Sequence, residues 1–273
     1  MNNKVLHIVI FDGSFETTAF IRRLIKGMLK NDIQISVLGF NEQLPNKIDG
    51  VNYIKLGSNQ SKWGFIKTCV CANPFSISTY LNVLKGNRKA LQQKNLQIAI
   101  KKSNPSIIHV QWPSLLPWLE TVLKEKTIPI VLSERGSQVL VKAKTDPDFR
   151  QALLQYYPQL SGIHAVSKHI KQTSKKIFQH NVATQVIYSG VNITDWPFTE
   201  VKSKPYQDPV RFLSVGRPHY IKGYAYALQA LAQLKEQGIN FTYTLVGGTN
   251  EEFTYLVQQY QLTAQVTLLG KLS

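Results

Sequence analysis

The stretch Val210–Gly248, VRFLSVGRPHYIKGYAYALQALAQLKEQGINFTYTLVGG, decides how the chain is read. A short apolar run, Val210 to Val215, is broken by Gly216, and Ala227, Leu228, Leu231 and Leu234 then recur at helical spacing until Gly238. A second apolar run, Phe241 to Val246, ends in Gly247 and Gly248. The pattern predicts a strand, a helix and a second strand, with Arg217, His219 and Lys222 in the loop after the first strand. In an open parallel sheet such loops lie at the carboxyl ends of the strands, where helix N-termini point backbone N–H groups outward and ligands bind. Arg217 as a planar fork and Lys222 as a mobile point charge suit a diphosphate there. An Arg and a Lys in a loop are also ordinary solvated surface charges.

Upstream of this unit the chain is long enough for a further lobe, since 273 residues allow one large domain or up to two smaller ones. With 43% hydrophobic and 18% charged residues, the composition is that of a folded protein and excludes a disordered one. No apolar run approaches the roughly 20 residues of a membrane span. The N-terminal MNNKVLHIVIFDGSF reads as a first strand rather than a signal peptide, so a cytoplasmic location is expected. Cys69 and Cys71 are one residue apart, which suits neither a structural disulfide nor half a zinc site, and both are expected as reduced thiols. No His, Asp and Glu cluster at metal-ligand spacing appears, so neither metal nor cofactor is expected.

The formal charge of +16 is unevenly spread. Residues 1–204 hold 27 Lys and Arg against 12 Asp and Glu, whereas residues 205–273 hold 5 against 4. The basic field of the first part attracts a polyanion or an anionic membrane face. Residues 57–104 mix Trp63, Phe65, Phe75, Tyr80 and Leu81 with eight cations, and predict one or two amphipathic helices, the longer over about 87–102. Such a segment can pack on a core or lie against anionic headgroups. Nucleic acid is not expected as a partner, because no reader element accompanies the charge.

Strands are expected at 5–11, 33–40, 51–56, 106–110, 128–133, 162–167 and 186–188, and helices at 17–30, 149–160 and 168–178. Strand 106–110 delivers His109, Gln111 and Trp112 to its carboxyl end, and strand 128–133 delivers Glu134, Arg135, Gly136 and Ser137. Residues 199–209, polar with a proline, form the expected linker between a first lobe, 1–198, and a second, 210–273.

Taken together, VGRPHYIKG, TLVGG and VTLLGKL at 266–272, with YSGVN at 188–192, resemble the family 4 glycosyltransferases of GT-B fold. The resemblance implies an α/β protein of two Rossmann-like lobes that moves a sugar from a nucleotide-sugar donor to a glycan or lipid-linked acceptor with retention. It implies that Arg217 and Lys222 hold the donor diphosphate and stabilise the departing nucleotide, with Gly13, Gly216 and Gly247 lining the donor site. His109, Gln111, Glu134, Arg135 and Ser137 fall on the acceptor cleft by the same resemblance. Where the family carries a Gly-Gly pair after the first strand, this chain has Ser14-Phe15. Gln111 and Arg135 stand where the family often has His, and the E-x7-E pair is missing after residue 205. The second lobe is therefore expected to be incomplete, and a non-catalytic remnant or acceptor-binding module is the alternative. Phosphorylase or epimerase chemistry on the same fold is a further one, since fold alone does not settle chemistry.

Overall fold

A computed structural model describes residues 5–41, 47–58, 60–191, 193–195 and 208–272. The chain divides into two units, Met1–Asn192 and Ile193–Ser273. Most of the expected linker, residues 199–207, lies outside the described residues.

In the first unit β1 (His7–Ser14), α1 (Ala19–Leu29), β2 (Gln34–Asn41) and β3 (Val51–Lys55) are followed by α2 (Lys62–Ala72), α3 (Ile77–Leu84) and α4 (Arg88–Ser103). Then come β4 (Ile107–Val110), a 3-10 stretch leading into α5 (Glu120–Glu125), β5 (Ile130–Glu134), a π turn running into α6 (Ala143–Thr145), and α7 (Pro147–Leu154). β6 (Gly162–Ala165), α8 (Lys168–Phe178) and β7 (Thr184–Val186) complete it. The seven strands are parallel in the order β3-β2-β1-β4-β5-β6-β7. The chain winds outward in one direction from β1 and in the other from β4, so the topological switch lies between these two strands. In open α/β sheets that is where a ligand crevice forms.

β1 reads as a near-continuous apolar run because both its faces are covered. Val9 and Phe11 enter the larger core with Leu96 and Ile100 of α4 and Ile170 of α8, while Ile8 and Ile10 meet Ile21 and Ile25 of α1. Three helices, not one or two, occupy residues 62–103, each opened by a side-chain cap: Ser61 to Gly64 N–H, Ser76 to Thr79 N–H, and Asn87 to Ala90 N–H. Helix 149–160 is shorter than expected: α7 stops at Leu154 and a 3-10 turn holds Pro158.

The second unit contains β8 (Val210–Val215), α9 (Tyr224–Glu236), β9 (Phe241–Val246), α10 (Glu251–Gln259) and β10 (Val266–Leu269), a parallel sheet ordered β10-β9-β8. Phe241, Tyr243 and Leu245 alternate inward from β9 onto Leu228 and Leu231 of α9 and Phe253 and Val257 of α10. The strand–helix–strand reading of 210–246 is thus what the backbone adopts.

Candidate functional site

In the second unit the loop after β8 is built on two close backbone approaches. Gly216 N–H donates to Val246 C=O at 2.8 Å, and the Tyr224 hydroxyl donates to Gly216 C=O at 3.1 Å. A Cβ at Gly216 would lie 2.8 Å from the Tyr224 oxygen and 3.6 Å from Cε of Lys222, so the Lys222 stem passes over this glycine. Gly247 has φ +122°, and a Cβ there would meet Gly216 O at 2.5 Å. Both positions therefore need glycine for proximity, and Gly247 for conformation as well. The N–H of Gly247 is already given to Leu269 and Gly270 carbonyls, which makes its part in the site one of shape rather than donation.

From this platform Arg217 and Lys222 project as exposed side chains, and among the described residues neither has an ion pair. The turn Tyr220–Lys222 is fixed by His219, whose Nδ1 accepts from Ile221 N–H at 3.3 Å and whose ring stacks on Tyr220. Gly223, at φ +70°, starts α9 without a side-chain cap, so its first N–H groups stay open beside Lys222. The loop thus carries two exposed cations next to a helix N-terminus that has no side-chain cap.

In the first unit the residues expected at the acceptor cleft separate into two groups. One lies at the carboxyl ends of β1, β4 and β5, at the topological switch. Arg135 Nη2 donates to Gln111 Oε1 at 2.8 Å, and its guanidinium stands 4.5 Å from the Phe20 ring. Burial lowers the Arg135 pKa to about 10, with Asp12 opposing, so it remains a cation at neutral pH. Trp112 Nε1–H donates to Asp12, whose carboxyl is pushed up to about 7 by burial against the lowering effects of Trp112 and Arg135.

A relay runs beside this cluster. His164 Nε2 lies 2.9 Å from Ile187 C=O, which can only accept, so that nitrogen carries the proton and Nδ1 is the acceptor. The Ser133 hydroxyl must then donate to His164 Nδ1 at 3.0 Å and accept from His109 Nε2–H at 2.8 Å. Burial first, then His164 and Arg135, lower the His109 pKa to about 3, so the ring is neutral with its proton on Nε2. It is a fixed polar wall and a poor base.

Glu134 is a correction. Although expected at the cleft, its side chain is fully buried on the opposite face of β5, as strand alternation from Ser133 demands. Oε1 accepts from the Tyr157 hydroxyl at 2.9 Å and from the Ser174 hydroxyl, and burial raises its pKa to about 7. Ser137 is exposed and makes no side-chain cap to the turn after it. Gly13, at φ +79°, sits where the β1–β2 register shifts, and Phe15, in the place of the expected glycine, is turned into the core.

Sequence reading missed Asp12, Ser133 and His164. The signal for His164 was present: GIHA repeats the apolar-apolar-His order of IIHV, so both strands carry His to the same face. Cys69 is buried beside Asn95, and Cys71 is exposed. Among the described residues no group of three or more His, Cys, Asp and Glu is placed to hold a metal, and no helix is long and apolar enough to cross a membrane.

Residues 197–273 match the family described as glycosyl transferases group 1. That match includes the whole Arg217–Lys222 platform. Among solved structures, HepE of Anabaena in complex with UDP-glucose aligns with TM-score 0.66 at 16% identity, covering 98% of this chain and 70% of that one. Sucrose-phosphate synthase from Thermosynechococcus elongatus aligns with TM-score 0.65 at 13% identity over 98% and 71%. The lipopolysaccharide outer core galactosyltransferase WaaB aligns with TM-score 0.62 at 15% identity over 98% and 69%. No curated protein sequence matches the chain. The fold is α/β with parallel sheets, that of GT-B glycosyltransferases.

Proposed function

We propose that the protein is a glycosyltransferase of family 4 that takes its sugar from a nucleotide-sugar donor, with Arg217 and Lys222 as the groups that receive the diphosphate. The observation that carries this reading is the exposed Arg217 and Lys222, without an ion pair among the described residues, on a glycine-built loop beside α9, which has no side-chain cap. When the sugar–phosphate bond breaks, negative charge grows on the departing diphosphate. Preorganised cations there stabilise the transition state more than the ground state. Arg217 contributes paired N–H donors in one plane, and Lys222 a charge on a stem already laid over Gly216. The likeness to a UDP-glucose-bound HepE supports a nucleotide sugar as the donor class.

The acceptor side of this reading is the cluster at the β1/β4 switch. Arg135 offers a fixed cation, Asp12 a carboxyl that titrates near neutrality, and His109 a neutral polar face. These suit a hydroxyl-bearing acceptor with nearby negative charge, a glycan or lipid-linked saccharide, in cell-surface polysaccharide or glycolipid synthesis on the cytoplasmic face of the membrane. Transfer with retention of configuration belongs to the same proposal, and no metal takes part in it. The test is Arg217→Ala in an active form of the protein: donor turnover is expected to be abolished, and unchanged turnover overturns the assignment.

A second reading, a non-catalytic remnant or acceptor-binding module, is favoured by one observation. Phe15 fills the core at the turn where the family's glycine pair admits the donor phosphate. Nucleotide-sugar hydrolysis or transfer by the protein distinguishes the two.

A further inference from the structure

α3 is turned inside out relative to an ordinary surface helix. Its buried side chain is the polar Thr79, while Ile77, Tyr80, Leu81 and Leu84, spaced as one helical stripe, face outward. Ile77 is 77% and Leu84 83% exposed, Phe75 in the turn before α3 is 95% exposed, and Trp63 at the start of α2 is 79% exposed. Single exposed apolar residues need no explanation, but a run of them on one hairpin marks a surface that something covers.

Charge says what covers it. From residue 50 to 119 the sequence has nine Lys and Arg and no Asp or Glu. Lys62 flanks Trp63, and Lys85 and Lys89 follow Leu84, all exposed. A second copy of this chain docking through the same face would bring like charges together without one acid to offset them. An anionic lipid surface meets both features at once, taking the apolar stripe among its acyl chains and the lysines at its phosphates.

We propose that the α2–α3 hairpin is a bilayer-docking element, with the stripe from Phe75 to Leu84 inserting at the headgroup boundary of an anionic phospholipid membrane. This deepens the acceptor-side reading above by naming the surface that would hold the protein beside a lipid-linked acceptor. It stands on residues remote in sequence from the donor loop.

The experiment is flotation of the full chain with vesicles of phosphatidylcholine alone and of phosphatidylcholine with phosphatidylglycerol. Binding to the anionic vesicles and not to the neutral ones is expected. Leu81→Glu/Leu84→Glu should lower the partition coefficient by at least about tenfold, because each buried leucine contributes on that order. The substituted residues are solvent-facing, so the fold should survive, and Leu84→Ser provides a milder variant with a smaller loss. Absence of binding to anionic vesicles overturns the proposal, as does binding that the leucine variants leave unchanged. A wild-type dimer in sedimentation that Leu81→Glu/Leu84→Glu converts to monomer overturns it in favour of a second copy. Nucleotide titration of the wild-type chain separates the two readings: no binding to anionic vesicles with intact nucleotide binding sinks this proposal alone, and vesicle binding without nucleotide binding sinks the donor assignment alone.

Discussion

Replacing Glu134 by Gln should make the first unit more stable at neutral pH than at acid pH, relative to wild type. Glu134 is fully buried, its Oε1 receives two hydroxyls, and among the described residues Oε2 has no partner. Burial raises its pKa from 4.5 to about 7 in the folded state. A raised carboxyl pKa means that the unfolded chain releases its proton first. Stability from this group is therefore intact below about pH 4.5 and declines through about pH 7. The full difference corresponds to about 3 kcal/mol. Gln keeps an acceptor oxygen for Tyr157 and Ser174 but does not titrate. Its unpaired amide carries a cost that is independent of pH. The difference in unfolding free energy, Glu134→Gln minus wild type, should thus rise by about 3 kcal/mol between pH 4.5 and 7.5, or on the order of 10 °C in Tm. His180, whose pKa is lowered mainly by burial, weakens the fold as pH falls in both proteins, so to first order it drops out of the difference. Urea unfolding across this range is the assay. Parallel curves for the two proteins would refute the buried-carboxylate argument.

Gly247→Ala forces a Cβ to 2.5 Å from Gly216 O at a positive φ, and should destabilise the second unit by about 1–3 kcal/mol, read by chemical denaturation. A neutral outcome would show that the loop platform is looser than its geometry indicates. Ser133→Ala leaves His109 Nε2–H and His164 Nδ1 without their shared partner, and a loss of about 1–3 kcal/mol is expected in the first unit. In an active form of the protein, Asp12→Asn should remove an inflection near pH 7 from the pH–rate profile, because burial pushes the Asp12 carboxyl up to about 7. An unaltered profile would exclude Asp12 from the reaction.

Much of the fold was legible because its signals are local. Apolar runs bounded by glycine and the helical spacing of Leu228 and Leu231 located β8, α9 and β9. Residues 57–104 were less legible because α3 carries its apolar residues on the exposed side, and a periodicity argument assigns such a stripe to the core. The site divides in the same way. The place of Arg217 and Lys222 in the loop between β8 and α9 follows from sequence, since the strand and the helix that bound the loop carry local signals. Glu134 did not, because its side depends on the strand reaching one residue further, to position 134, and one residue reverses the face. Asp12 owes its raised pKa to burial, against the lowering effects of Trp112 and Arg135, 100 and 123 residues away, and no local pattern records either the burial or these partners.

The central claim is that the loop after β8 binds a diphosphate through Arg217 and Lys222. Calorimetric titration of the 273-residue chain with UDP, GDP and their sugars, at low and physiological salt, tests it directly. The account predicts micromolar-range binding of one nucleotide, weakened by salt and lost in Lys222→Ala. Absence of binding by the folded chain, or binding that Lys222→Ala leaves intact, would contradict it.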